Sequence, residues 1–249
     1  MIYRQAKALE KSDNNIIIVL SKQLSKFNFD FYQNFKKKYN IKTFFINDES
    51  TDLSKNCIFI GDEDCLRYHI RNFTFTTEKQ ITAWDRSLAF LNFYYLDKFK
   101  FAWFIEDDVY FKNEKILINL INKYKKNNAD FLTSHVSNQE LNSSWENWHL
   151  INDKGFFKKH KSFNCFCRIS NKAINKICLY AIKNKNLKYM FHELVFINVC
   201  VHENLKVKNF DYSDGMLIRW RPNITAEELN QDYTVYHPAK NIKSLLIKH

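Results

Sequence analysis

The chain has 249 residues, of which 45% are hydrophobic and 16% are aromatic. This length and composition suffice for one sizeable core and exclude a disordered or fibrous chain. With three Gly and two Pro, the sequence also excludes collagen-like and linker-rich proteins and disfavours an all-β fold built on tight turns. The formal net charge is +11, and residues 151–190 hold ten Lys or Arg against one acid, Asp153. This basic stretch predicts either a solvated surface or a contact with phosphates, nucleic acid or an anionic membrane surface.

Six cysteines, at positions 57, 65, 165, 167, 178 and 200, show no paired C-x-x-C spacing. A chain of this length does not need disulfides, so reduced and mostly buried thiols are expected. The N-terminus has no apolar signal segment, and the early apolar run Ile16–Leu20 is far shorter than the ~18 residues of a membrane span. These features predict a soluble, cytoplasmic protein with no transmembrane segment.

The first hundred residues alternate predicted strands and helices, which is typical of a mainly parallel sheet with helices on its faces. A helix that starts at Thr77 and Glu78 is expected to continue along an apolar stripe to Tyr95. The other elements predicted here are a strand at Ile16–Leu20, a helix at about Phe27–Tyr39, and strands at Ile41–Ile46 and Cys57–Ile60.

An apolar strand at Phe101–Ile105 leads directly into Glu106, Asp107 and Asp108. In open α/β sheets, ligands bind at the carboxyl ends of the strands. Three adjacent carboxylates repel one another unless a cation or a proton neutralises them, so this strand end predicts a site for a divalent metal. The alternative is an acidic turn on the surface.

The rest of the chain continues as alternating elements without an internal repeat or a linker, so one domain is predicted. A loop at Ser137–Gly155 contains Trp145, Trp148 and His149, which predict either a platform or lid on which a ligand ring stacks, or rings packed on the domain. The basic run Lys158–Lys161 predicts a steering surface for an anionic ligand, or simply a solvated face. The remaining predicted elements are helices at about Asn113–Lys126 and Asn171–Lys183 and from His192, and strands at Asp130–Ser134, Phe163–Ile169 and Met216–Trp220.

Four segments together make the sequence resemble the nucleotide-sugar-dependent glycosyltransferases of the GT-A fold. They are Glu106-Asp107-Asp108 at the strand end, Ala83-Trp84-Asp85-Arg86 on the preceding helix, His192-Glu193 at a helix start, and Tyr236-His237-Pro238-Ala239-Lys240 near the C-terminus. The resemblance covers most of the chain and implies an α/β, single-domain GT-A-like fold with a Rossmann-like N-terminal half. Residues 1–110 would bind the nucleotide sugar and residues 111–249 the acceptor.

The resemblance implies a metal site formed by Asp108 and His237. A mixed carboxylate and imidazole set suits Mn²⁺ better than Mg²⁺. A divalent ion stabilises the charge that develops on a leaving nucleoside diphosphate. For His237 the alternative is a surface position in a C-terminal tail.

Contacts to the nucleotide-sugar donor are assigned to five residues. Glu106 and Asp107 are expected near the ribose hydroxyls or the metal-bound waters, although the acidic segment reads E-x-D where D-x-D is commoner. Ser21 and Asp48 follow the first two predicted strands, and Asp85 belongs to the segment that resembles a donor-side helix.

Glu193 is the candidate general base, because inverting enzymes of this class place a carboxylate at the corresponding helix start. Such a base accepts the proton of the acceptor hydroxyl as it attacks the anomeric carbon. The alternative is an ordinary first-turn Glu that complements the helix dipole. Asp211 and Asp214, in a turn that ends at Gly215, are further candidates for the same role.

The function predicted is transfer of a hexosyl or pentosyl group from a nucleoside-diphosphate sugar, UDP-linked, to a glycan, lipid-linked or protein acceptor, with inversion. Nucleic acid is not an expected partner. Two alternatives stay open: a metal-dependent nucleotidyltransferase or phosphohydrolase, and a non-catalytic nucleic-acid-binding protein that uses residues 151–190. The first alternative lacks a Gly-rich phosphate loop in this sequence, and the second would show steeply salt-dependent binding.

Overall fold

The computed structural model describes residues 15–48, 57–74, 81–140, 144–150, 156, 158–185, 190–240 and 242. Its strands are β1 (Asn15–Ser21), β2 (Thr43–Asn47), β3 (Phe101–Glu106), β4 (Tyr110–Phe111), β5 (Phe131–Asn138), β6 (His160–Ser170), β7 (Val207–Asn209), β8 (Met216–Ile218) and β9 (Val235–His237). Its α-helices are α1 (Lys26–Tyr39), α2 (Asp62–Arg67), α3 (Ala83–Ala89), α4 (Glu114–Lys123), α5 (Asn171–Lys183), α6 (His192–His202) and α7 (Ala226–Leu229). A π-helical segment, Phe90–Tyr95, continues α3.

The central sheet has six strands in the order β2-β1-β3-β6-β5-β7. The pairs β1–β2, β1–β3 and β5–β7 are parallel, whereas β6 runs antiparallel to both β3 and β5. A second sheet of three short strands has the order β4-β9-β8. The predicted α/β class with a mainly parallel central sheet is therefore confirmed. The sheet takes strands from both sides of residue 110, and the division of the chain into a donor half and an acceptor half stays a prediction.

Helices cover both faces of this sheet, which explains why its central strand β1 is apolar at successive positions. Ile16 and Ile18 pack on one side with residues of α3, α5 and α6. Ile17 and Val19 pack on the other side with residues of α1 and α4. All four side chains are fully buried. This double burial fixes the strand in the core and carries its last residue, Ser21, to the edge of the sheet.

Two predicted elements differ from the structure. Cys57–Ile60 is not a strand, because Ile58 forms only an isolated parallel bridge to Ile46 and α2 begins at Asp62. Thr77 and Glu78 lie outside the described residues, and the helix that was expected to start there begins at Ala83. The bounds of α5 agree with the prediction.

The cysteines behave as the sequence predicts: all six are free, and Cys57 is the one that is not fully buried. No helix among the described residues combines the length and apolar character that a membrane span requires.

Candidate active site

An open pocket of about 940 Å³ lies at the carboxyl ends of three neighbouring parallel strands. Ser21 ends β1, Asp48 follows β2, and Glu106 ends β3. All three line the pocket, together with Asp107 and Asp108 from the turn after β3. The structure thus brings four of the five predicted donor residues and one predicted metal ligand to one cavity.

Glu106, Asp108 and His237 form a cluster whose potential ligand atoms all lie within 4.8 Å of one another. The Nε2 atom of His237 lies 3.2 Å from Oδ1 of Asp108 and 3.9 Å from Oε2 of Glu106. Because His237 is distant in sequence from the other two, β9 has to carry it to the acidic turn. Two carboxylates and one imidazole form a donor set that Mn²⁺ and similar divalent ions accept.

The orientation of His237 is fixed by the backbone of a neighbouring strand end. β9 pairs with β8 and aligns His237 with Ile218, and the carbonyl of the next residue, Arg219, accepts a hydrogen bond of 2.9 Å from His237 Nδ1. A carbonyl only accepts, so Nδ1 carries the proton and Nε2 points to the carboxylates. His237 is buried, which rules out the alternative of a surface position in a tail.

The charges of the cluster are strongly coupled. Burial, with help from the charge of Asp108, raises the pKa of Glu106 to about 7. Burial also acts to raise the pKa of Asp108, but the hydrogen bond and charge of His237 outweigh it and hold that pKa below its ordinary value. For His237 burial lowers the pKa, and its hydrogen bond to Asp108 reverses the shift, so the net direction is upward. The imidazole thus compensates one carboxylate fully and the other only in part.

Asp107 lines the pocket and contacts the end of β1. Its Oδ2 accepts a hydrogen bond of 2.6 Å from the Ser21 hydroxyl, and its backbone carbonyl accepts one of 2.7 Å from the Asn28 side chain. Burial raises the pKa of Asp107. These contacts tie the acidic turn to the end of β1 and the start of α1.

Trp84 links the acidic turn to the helix α6. Its indole Nε1 donates a hydrogen bond of 2.8 Å to Oε1 of Glu106, and its ring stacks on His192 at 4.4 Å between centroids. The ring also stacks on Phe104 at 5.1 Å. The sequence motif that contains Trp84 pointed to this helix, but it did not reveal that Trp84 holds one of the candidate metal ligands.

Asp85 occupies a different environment from the other predicted donor residues. It is fully buried and does not line the pocket. Its carboxylate accepts hydrogen bonds from the backbone of Phe73 and from the backbone and hydroxyl of Thr82, and so caps α3. Burial raises its pKa to about 7. Asp48 reaches the same helix from the pocket side, because it accepts a hydrogen bond from the Ala83 amide.

Glu193, the predicted base, lies in the first turn of α6 and is buried next to Lys161 rather than in the pocket wall. Burial, with the charge of Glu106, raises the pKa of Glu193 well above its ordinary value, and the charge of Lys161 lowers it. The start of α6 is held by β6, since Ser162 donates to the Glu193 carbonyl and Asn164 to the His192 carbonyl.

The two other candidates for the base are engaged elsewhere. Asp214 is buried and binds Lys123 at 2.5 Å and the hydroxyl of Tyr124. Asp211 binds the same lysine at 3.1 Å. Neither lines the pocket. The structure therefore gives these two acids a structural role.

Some residues of the aromatic loop and of the basic stretch 151–190 pack inside the fold instead of facing solvent. Trp148 is buried, and the half-buried Trp145 has the Lys161 ammonium 4.4 Å from its ring centroid. His149 is exposed. Arg168, one of the ten basic residues, is fully buried and donates to the carbonyls of three residues, Tyr124, Asn127 and Ala129. Residues 151–155 and 186–189 lie outside the described part of the chain.

Two lysines that sequence reasoning did not single out for a role also line the pocket. They are Lys22, just after β1, and Lys240, three residues after the end of β9. The Ala239 amide donates a hydrogen bond of 2.7 Å to the Asp108 carbonyl, which holds Lys240 beside the acidic turn. The charge of Lys240 lowers the pKa values of Asp107 and Asp108. Lys240 belongs to the segment Tyr236–Lys240, so its place in that segment is the sequence feature that could have indicated a role at the site.

Comparisons with known proteins give structural neighbours. No protein-family model and no curated protein matches the sequence. The chain is similar to a glycosyltransferase involved in the glycosylation of the major capsid of PBCV-1, with 11% identity and a TM-score of 0.44, over 92% of this chain and 96% of that one. It is also similar to mouse xyloside xylosyltransferase 1, with 9% identity and a TM-score of 0.46, over 91% of this chain and 98% of that one. Both are glycosyltransferases by name. Similarity this distant does not assign a function to this chain.

Proposed function

We propose that this chain is a metal-dependent glycosyltransferase that moves a sugar from a nucleoside-diphosphate donor, UDP-linked, to an acceptor hydroxyl with inversion. The observation that carries the proposal is the cluster of Glu106, Asp108 and His237, because its two carboxylates line a pocket at the carboxyl ends of parallel strands. Ligands bind at this edge in open α/β sheets. The pocket therefore combines a place for a nucleotide with a place for a cation.

The cluster fits a divalent metal. Asp108 and His237 are the proposed direct ligands, and Glu106 is close enough to be a third. His237 Nδ1 is already committed to the Arg219 carbonyl, so its Nε2 is available. A bound divalent ion supplies positive charge that stabilises a leaving diphosphate. The mixed donor set favours Mn²⁺ over Mg²⁺.

The chain's own cations and hydrogen-bonding groups hold the donor. Lys240 and Lys22 present positive charge to the pocket where a diphosphate would lie. Ser21 and Asp107 are hydrogen-bonded to each other and form the polar wall proposed for the ribose. Asp48 also faces this cavity and stays a proposed donor contact. Asp85 is proposed to act on the donor only through α3, which it caps.

Glu193 is proposed to accept the proton of the acceptor hydroxyl. Its raised pKa makes it a stronger base than an ordinary Glu, although only the ionised fraction can act. The charge of Lys161 acts against this rise in pKa and enlarges the ionised fraction, because a nearby positive charge favours the carboxylate. The role requires the acceptor to bind beside α6.

The test is nucleotide release from a panel of UDP-, GDP- and ADP-linked hexoses and pentoses, with MnCl₂ or with EDTA. The proposal predicts Mn²⁺-dependent release from at least one donor and none in EDTA. Phosphate release from a free nucleoside diphosphate, with no sugar donor used, would instead identify a phosphohydrolase. Tight RNA or DNA binding near physiological salt with no nucleotide released would identify a nucleic-acid-binding protein.

A further inference from the structure

Trp220 is a large aromatic residue that the fold leaves exposed close to the candidate metal site. Its exposed fraction is 55%, in a part of the chain where β8 has just ended. Its ring makes an edge contact with Phe163, with 6.1 Å between centroids. Phe163 in turn makes an edge contact with His237 at 5.6 Å. One aromatic ring therefore separates Trp220 from a proposed metal ligand.

The segment that carries Trp220 is held firmly by the residue before it. The guanidinium of Arg219 forms two hydrogen bonds to the Glu228 carboxylate, at 2.6 and 2.7 Å, and its Nε donates to the Pro222 carbonyl at 2.8 Å. The Arg219 carbonyl accepts the hydrogen bond from His237. An exposed ring fixed in place loses little conformational entropy when a ligand stacks on it.

His135 also contacts Phe163 and bonds to the strand that precedes Trp220. It is exposed, and its ring makes an edge contact with Phe163 at 6.1 Å. It has a φ of 51°, an uncommon value for a residue other than Gly, at a bulge in β5. Its Nε2 donates to the Ile218 carbonyl at 2.9 Å. Strained backbone of this kind persists where the surrounding structure requires it.

The strand that carries Phe163 also holds the start of α6. The two residues beside Phe163 are Ser162 and Asn164, whose side chains bond to the carbonyls of Glu193 and His192. The segment 162–164 thus connects the ring of Trp220, the proposed metal ligand His237 and the proposed base. An acceptor stacked on Trp220 would therefore bind beside the strand segment that holds the start of α6.

We propose that Trp220 is the stacking platform for a carbohydrate acceptor, with Phe163 and His135 supporting it. The inference rests on the proposed glycosyl transfer and names the acceptor class: a sugar ring, rather than a lipid surface or a nucleic acid. A sugar stacks its C–H face on an indole and leaves its hydroxyls for polar neighbours such as Arg221 and His135. Trp220 is exposed on a segment held by Arg219, and the exposed His135 bonds to the same segment at the Ile218 carbonyl, which matches that requirement.

The test uses the full chain and a set of methyl glycosides of common hexoses and pentoses as acceptor probes. The indole N–H signal of Trp220 is assigned in an NMR spectrum by its loss in Trp220→Phe. We expect one or more glycosides to shift this signal. In a turnover assay, Trp220→Ala should raise the KM for that glycoside about tenfold or more and lower the ratio of sugar transfer to donor hydrolysis by a similar factor. Trp220→Phe should lie in between.

Tyr212→Ala is the matched control, because Tyr212 is fully exposed but precedes the start of β8, whereas Trp220 follows its end. It should keep the wild-type KM and the wild-type ratio. The platform is overturned if no glycoside shifts the Trp220 signal, if Trp220→Ala leaves the acceptor KM unchanged, or if an oligonucleotide or anionic vesicles shift the signal and glycosides do not. A glycoside that shifts the signal in a protein that releases no nucleotide supports the platform and refutes the glycosyltransferase proposal, so the two failures are distinguishable.

Discussion

Two clusters of acidic residues near opposite ends of β8 differ in what neutralises their carboxylates. Before the strand, Asp211 and Asp214 share the ammonium of Lys123, which lies 3.1 and 2.5 Å from them. Beyond its end, Glu106 and Asp108 share the imidazole of His237 and face an open pocket.

A buried carboxylate is costly unless a positive charge or hydrogen bonds compensate it. At the first cluster Lys123 supplies a full positive charge, the hydroxyl of Tyr124 bonds to the buried Asp214, and Asp211 is exposed, so these acids are structural. At the second, two carboxylates compete for one imidazole, and burial with the charge of Asp108 raises the pKa of Glu106 to about 7. The difference indicates that the second cluster, and not the first, gains from a cation taken from solution.

The largest effect on activity is expected from neutralising an acid of the second cluster, and the same change in the first cluster is the comparison. Asp108→Asn keeps the size of the side chain but removes a charge that is proposed to hold the metal, so nucleotide release with Mn²⁺ should fall to background. Asp214→Asn should keep the activity of the folded protein and lower the free energy of unfolding by about 1–3 kcal/mol, because Lys123 loses the closer of its two charged partners and Tyr124 loses a charged acceptor. The measurements are a nucleotide-release assay and urea unfolding. Equal losses of activity in both variants would refute the distinction between the clusters.

The next effect concerns Glu193, an acid that is buried beside a lysine yet proposed to be catalytic. Glu193→Gln retains the shape and loses the proton acceptor, so kcat should fall by about 10²–10⁴-fold. Mn²⁺-dependent donor binding should persist, because Asp108 and His237 are untouched. Steady-state kinetics and calorimetric titration of the donor measure the two quantities. A wild-type kcat would make Glu193 an ordinary residue of the first helical turn and would leave the reaction without this base.

A smaller effect should follow from removing the imidazole of the metal cluster. His237→Ala leaves two carboxylates and should weaken Mn²⁺ binding by at least about tenfold. Mn²⁺ affinity can be followed by electron paramagnetic resonance of the free ion. His149→Ala, at an exposed histidine outside the pocket, is the control and should bind Mn²⁺ as the wild type does. Unchanged affinity in His237→Ala would remove His237 from the ligand set.

The smallest effect is a change in pH dependence. If Glu193 is the base, activity needs its ionised form, so kcat/KM should fall as pH drops through the raised pKa of that carboxyl. Lys161 lowers this pKa, hence Lys161→Met should raise it and move the acidic limb of the pH profile upward by a fraction of a unit. Lys161→Arg keeps the charge and should leave the limb in place. A shift to lower pH in Lys161→Met would contradict the assignment of Glu193.

Much of the local structure could be predicted because it depends on neighbours in sequence. The apolar run in β1 is explained by burial on both faces, and α5 begins where Ser170 caps it, at Asn171 as predicted. The acidic strand end after β3 also lies where the run of apolar residues stops. Cys57–Ile60 was the exception, because an apolar segment forms a strand only if a partner strand pairs along its length, and here one bridge forms.

The sequence by itself therefore determined the α/β class, the acidic turn and its place at a sheet edge, since these depend on periodicity and on the order of the elements. Only the tertiary structure decided what each acid meets. In the folded chain Asp85 caps α3 and Asp214 forms an ion pair with Lys123. The pairing of β9 with β8 places His237 3.2 Å from Asp108. The physical reason is that the charge and hydrogen bonding of a buried carboxylate are set by groups far away in sequence, and a linear pattern does not record which of them fold against it.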